Sequence, residues 1–148
     1  MARIHIYFGT ESGNAEMGAD DIAEALIVVG HEVQVKSLED CLIDELLPAS
    51  PCVFVVSTYG EGEMPQGALD FFSSLTETKP NLEGLRYAAF GLGDSTYKTY
   101  NNAICNLVEN LNELGASQIG ETGLHDAQSG LLLSDVIKPW AAKTFSGL

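Results

Sequence analysis

The sequence predicts an α/β domain, a doubly wound parallel sheet with helices on both faces. Three observations carry that reading. Short apolar runs alternate with longer stretches whose apolar residues recur at helical spacing, the pattern of successive βα units. The run Cys-Val-Phe-Val-Val-Ser at 52–57 is apolar on both of its alternating faces, as befits a parallel strand covered on both sides. Glycine-rich segments directly follow three of the predicted strands. In such a sheet these segments gather at one edge, beyond the carboxyl ends of the strands, where ligands bind.

Each element has its own justification. A first strand over residues 4–8 stops at Gly9. A helix over 14–29 follows, with Ile22, Ala23, Leu26 and Ile27 apolar. Glu16, Asp20 and Asp21 suit its amino end, and Gly30 its carboxyl end. Residues 31–36 alternate polar and apolar, as an edge strand does. Residues 38–47 form a short acidic helix or helical turn closed by Pro48. The strand at 52–57 is the most apolar and so central. A helix over about 67–76 carries Leu69, Phe71, Phe72 and Leu75, and a fourth strand spans 87–91. A long helix then runs to about residue 114, with Ile104, Leu107, Val108, Leu111 and Leu114 in phase and Gly115 as its cap. Residues 118–120 read as a short fifth strand, 121–130 as loop, and 131–145 as a last helix interrupted or kinked near Pro139. The five units account for residues 1–148 as one domain, and Leu148 reads as a natural end.

Composition narrows the function classes. Seven basic residues against 21 acidic ones give a net charge of −14, which argues against nucleic-acid binding. The charge either steers the protein towards basic partners or serves solubility alone. No stretch is long and apolar enough to span a membrane, and no leader precedes the first strand, so the expectation is a cytoplasmic monomer. Cys41, Cys52 and Cys105 are widely spaced and odd in number, which fits neither a disulfide framework nor a zinc site.

The first loop, Gly9-Thr10-Glu11-Ser12-Gly13-Asn14-Ala15, lies between a strand and a helix. Such a turn offers backbone N–H groups and the positive end of a helix dipole to an anion. It matches neither G-x-G-x-x-G nor a G-K-[ST] loop, and no Lys or Arg lies between Arg3 and Lys36. Neutral donors alone fit a monophosphate. Equally, the stretch reads as a plain strand-to-helix turn with Ser12 or Asn14 as N-cap. Tyr59 and Tyr97 stand in the second and third loops, each between small residues. One such tyrosine is an ordinary surface residue. Two, flanking one phosphate site, make a slot for a planar ring.

The three segments together resemble the flavodoxin family. Thr10-Glu11-Ser12-Gly13-Asn14-Ala15 resembles its FMN phosphate loop. Ser57-Thr58-Tyr59-Gly60-Glu61-Gly62 and Gly91-Leu92-Gly93-Asp94-Ser95-Thr96-Tyr97-Lys98-Thr99-Tyr100-Asn101 resemble its two isoalloxazine loops. The wording is nearer to the FMN domains of diflavin reductases and to cindoxin-type and MioC-type flavodoxins than to long-chain members. The resemblance implies a five-stranded sheet of order 2-1-3-4-5, bound FMN and one-electron transfer. It places Tyr97 on one flavin face and Tyr59 on the other, and it adds Tyr100 and Asn101 to the site. Two departures stand out. Ala15 replaces the last hydroxyl of the phosphate pattern, and the insertion that splits strand five in long-chain members is absent. His125-Asp126 stands where members often place an acidic residue near the flavin. Asp126 is assigned to the site and His125 to the surface.

In this reading the flavin supplies the chemistry and the protein tunes it. Gly60 can turn its peptide to offer a carbonyl to the flavin N5 proton, because glycine makes the turn cheap. An acidic, partly desolvated site disfavours an anion at N1, so the second potential is expected to be low. The expected function is an electron carrier between a basic-surfaced flavin reductase and a redox acceptor such as a haem monooxygenase. The alternative is an FMN-dependent NAD(P)H:quinone-type reductase. A phosphoacceptor receiver would need Asp clustered at strand ends, and strands one and three end in Phe8-Gly9 and Ser57-Thr58.

Overall fold

The computed structural model describes residues 3–9, 13–57, 68–93 and 102–146. The strands are β1 (Arg3–Gly9), β2 (Glu32–Ser37), β3 (Cys52–Ser57), β4 (Arg86–Gly93), β5 (Ser117–Gln118) and β6 (Gly123–Asp126). The helices are α1 (Asn14–Val28), α2 (Leu69–Thr78), α3 (Asn102–Glu113) and α4 (Leu133–Thr144). Every strand pair is parallel, in the order β2-β1-β3-β4-β5, and β6 also pairs with β4. This is the 2-1-3-4-5 sheet expected from the sequence, with β3 at its centre and β2 at an edge.

Alternation along the central strands builds two cores. Tyr7, Cys52, Phe54, Val56, Tyr87 and Ala89 turn to one face and meet Phe71 and Leu75 of α2 and Ile104, Leu107 and Leu111 of α3. Ile4, Ile6, Val53, Val55, Ala88 and Phe90 turn to the other and meet Ile22 and Leu26 of α1 and Ile137 and Ala141 of α4. The first core is aromatic. The Phe54 ring lies 5.8 Å from Tyr7 and 6.0 Å from both Phe71 and Tyr87. The buried Tyr87 hydroxyl is satisfied by donating to Asn112 Oδ1 at 2.7 Å. On the second face Gly18 admits its neighbours closely. A Cβ there would stand 3.2 Å from Ile137 Cδ1 and 3.4 Å from Val55 Cγ1.

Three expectations need amendment. The segment over 38–47, expected as a short acidic helix or helical turn, is no continuous helix but two short 3₁₀ turns, Leu38–Asp40 and Ile43–Glu45, as the second alternative has it. α4 starts two residues later than expected and runs unbroken through Pro139. The largest correction concerns the fifth position. Residues 121–130 are not all loop, because Gly123–Asp126 is a strand on β4. The fifth strand is thus two pieces separated by a detour over 119–122. Ile119 N still donates to Tyr87 O at 2.6 Å, and Gln118 Nε2 closes the detour onto Thr122 Oγ1 at 2.8 Å. Gly123 comes so close to the Phe90 ring that a Cβ would collide with it, and that Cβ would stand 2.7 Å from Trp140 Nε1. The indole packs edge-on against Phe90, with centroids 5.1 Å apart, and donates to Glu121 O at 3.1 Å.

Candidate functional site

Four strands end on neighbouring rungs. Gly9 lies opposite Val56, Val56 opposite Gly91, and Ser57 opposite Leu92. Leu92 in turn lies opposite His125, and Gly93 opposite Asp126. The segments that follow β1, β3, β4 and β6 therefore leave from one sheet edge. Two contacts draw them together. A Cβ on Gly9 would stand 2.7 Å from Ala68 Cβ, so the residue before α2 lies against the end of β1. Ala127 N donates to Gly93 O at 2.8 Å, which continues the ladder one residue past β6.

The amino end of α1 stands at this edge. Its cap is Gly13, at φ 88 and ψ −4, with no side-chain cap hydrogen bond; the alternative reading of this stretch as a plain turn put the cap at Ser12 or Asn14. Glycine is required for its left-handed φ, not for space, since a Cβ there would meet nothing within 4 Å. Gly13 leads directly into the first turn of α1. That turn is the part of a helix whose N–H groups have no carbonyl partner within the helix. Ala15 is fully buried and its methyl packs with the α1/α4 core. Leu92 likewise packs inward.

Of the expected site residues, Gly13, Asn14, Ala15, Ser57, Leu92, Gly93 and Asp126 are brought to the ends of these four strands and of α1. Thr10, Glu11, Ser12, Thr58, Tyr59, Gly60, Asp94, Tyr97, Tyr100 and Asn101 lie outside the described residues. Asp126 Oδ1 accepts from Gln128 N at 2.9 Å, which bends the chain as it leaves β6. His125, expected at the surface, is partly buried, and its Nε2 lies 2.9 Å from Leu131 O. Two features had no signal in the sequence reading. Gly9 admits Ala68, and β6 brings Asp126 level with Gly93. The arrangement fits a phosphate, because a helix amino terminus behind a glycine cap favours an anion without a cationic side chain.

A family model described as flavodoxin matches residues 6–140. The chain belongs to the flavodoxin family. The cofactor is accordingly FMN. This flavodoxin is 35% identical over 150 residues to NADPH-dependent diflavin oxidoreductase 1 of Schizosaccharomyces pombe, covering 99% of this chain and 26% of that protein. The flavodoxin thus spans about a quarter of the length of that relative. It is 34% identical over 122 residues to protein MioC of Escherichia coli O157:H7, covering 82% of each. Oxidised Flavodoxin 2 from Bacillus cereus superposes with a TM-score of 0.86 at 29% identity, covering 99% of each chain. No helix among the described residues is long and apolar enough to cross a membrane.

Proposed function

We propose that residues 1–148 act as one FMN-binding unit. It receives single electrons from a basic-surfaced flavin reductase and passes them to a redox enzyme such as a haem monooxygenase. One observation carries this reading: the segments after β1, β3, β4 and β6 leave from neighbouring rungs of one sheet edge. A ligand that meets them all needs a phosphate at one end and a planar ring at the other, which is the shape of FMN. Thr10, Glu11, Ser12, Gly13, Asn14 and Ala15 would hold the phosphate at the amino end of α1. Ser57, Thr58, Tyr59 and Gly60 would line one side of the ring. Leu92, Gly93, Asp94, Tyr97, Tyr100 and Asn101 would line the other, with Asp126 beside them. Bound FMN supplies the electron chemistry at its ring. The protein binds and orients it, shields it from water, and at Gly60 offers a carbonyl to a proton on the ring N5.

The placement of charge supports a basic partner. Glu16, Asp70 and Asp135 lie in the first turns of α1, α2 and α4, on the loop edge. Arg3 and Arg86 open β1 and β4, while Lys79 and Lys143 lie at the ends of α2 and α4, on the opposite edge. A net charge of −14 distributed in this way turns the loop edge towards a positive surface.

The test is the absorption spectrum of the purified protein, followed by stopped-flow reduction by a flavin reductase across a salt series. One FMN per chain is expected. The second-order rate should fall steeply as salt approaches physiological strength, where the Debye length is about 8 Å. A colourless protein that takes up no FMN would overturn the reading. A rate indifferent to salt would remove the basic partner from it. The S. pombe relative is named for its NADPH dependence, which favours a second reading as an NAD(P)H:quinone-type reductase. NADPH oxidation by the FMN-loaded chain alone would select that reading over the carrier.

A further inference from the structure

The turn between β6 and α4 is closed by a histidine. His125 Nε2 lies 2.9 Å from Leu131 O. A carbonyl only accepts, so Nε2 carries the proton and donates. Three further bonds are local. Gln128 N donates to Asp126 Oδ1 at 2.9 Å, Ser129 N to Asp126 O at 3.0 Å, and Leu131 N to Ser129 Oγ at 3.2 Å. These shape the turn without fastening it to the sheet. Ala127 N to Gly93 O at 2.8 Å fastens it near its start, and His125 to Leu131 at its far end.

The register defines what is being held. His125 shares a rung with Leu92, and Asp126 shares one with Gly93, where the third loop departs. Alternation puts His125 on the face of Gly123, which abuts Trp140 of α4, and Asp126 on the opposite face. The imidazole therefore works from the α4 side. Residues 127–130 are all exposed, so the turn has little burial of its own to order it.

We propose that His125 is a positioning residue. Its Nε2–H holds the Leu131 carbonyl, and thereby sets the 127–131 turn, which follows Asp126 out of β6, at the FMN edge before the cofactor arrives. This rests on the flavodoxin reading of the site. An untethered turn must be ordered when a ligand binds, and that ordering is subtracted from affinity, whereas a tethered turn is ordered by folding. The bond is a partly solvated one, with the worth of an ordinary hydrogen bond, roughly a factor of three to ten in an equilibrium.

The test compares wild type, His125→Ala and His125→Gln, each without and with FMN. A glutamine amide nitrogen reaches about as far as imidazole Nε2 and also donates. In the FMN-free alanine variant, amide exchange at Ser129 and Leu131 should quicken roughly three- to tenfold while residues 53–56 keep their protection. The FMN dissociation constant should rise by a similar factor, and glutamine should restore most of both. Unchanged exchange at Ser129 and Leu131 in the alanine variant would overturn the proposal. So would unchanged FMN affinity where exchange has quickened, or a glutamine variant that behaves like alanine. If the alanine variant does not fold, the glutamine variant decides alone, by matching wild type or failing to. A wild type that binds no FMN overturns the flavodoxin reading instead, and exchange in the FMN-free protein tells the two failures apart.

Discussion

β3 and the fifth position of the sheet hold comparable places by different means. β3 lies between two strands, and every residue of it except Ser57 is buried. The fifth position lies at the edge of the path, filled by β5 with two residues and β6 with four. Burial on both faces makes β3 tolerant of detail, since any run of apolar side chains of suitable size would satisfy it. The fifth position depends on particular fits: Gly123 under the Phe90 ring, Trp140 on Glu121 O, and Gln118 on Thr122. One region is held by amount and the other by shape.

Substitutions can break or sharpen this contrast. The largest effect is expected at the centre. Phe54→Ala removes the ring that meets Tyr7, Phe71 and Tyr87 and should cost about 3–5 kcal/mol in urea unfolding. A loss below about 1 kcal/mol would mean that the aromatic core is not what holds β3. Next comes Gly123→Ala. One methyl driven against Phe90 and Trp140 should cost about 1–3 kcal/mol, and a neutral result would show that the edge gives way freely. Trp140→Phe keeps one aromatic ring but loses the fused ring on Phe90 and the bond to Glu121 O, for about 1–2 kcal/mol in the same unfolding series. A larger loss would make that bond the main tie of the detour.

The smallest perturbation alters no residue. Burial first, then Glu45, pushes the Cys41 thiol up to about 12, and Cys52 is fully buried at the start of β3, whereas Cys105 is exposed. A thiolate reagent should label one cysteine in the native protein and three after denaturation. Labelling of Cys52 at the rate of Cys105 would deny that β3 is closed.

The same contrast explains what could be read in advance. Cys-Val-Phe-Val-Val-Ser reads as a strand with no competing reading, and the expected bounds of the first helix agree with α1 to within one residue, with Gly30 just beyond its end. Gly-Leu-His-Asp did not read as a strand. Its residues carry little strand preference, and its place comes from pairing with β4, about thirty residues earlier in the chain. The cap of α1 is not legible locally, because Ser12 and Asn14 are the better side-chain caps whereas the turn needs a left-handed residue. At the site, the loops could be placed because glycine-rich segments follow apolar runs. The approach of Ala68 to Gly9 could not, since no local pattern reports which distant residue a glycine makes room for.

The detour between β5 and β6 has a consequence for chain length. Its two sides pair with β4 independently, at Arg86 and Tyr87 on one side and at Phe90 to Gly93 on the other. Its ends are already drawn together by Gln118 and Thr122, and Gly120 turns at φ 68. Extra residues spliced in after Gly120 would extend outward from a closed neck, and neither half would change register. Lengthening a loop whose ends are fixed adds only about 0.6 kcal/mol per doubling. The sheet therefore has a seam, and whole segments could be added to the flavodoxin there, or a foreign module grafted on, away from the edge where the cofactor loops emerge.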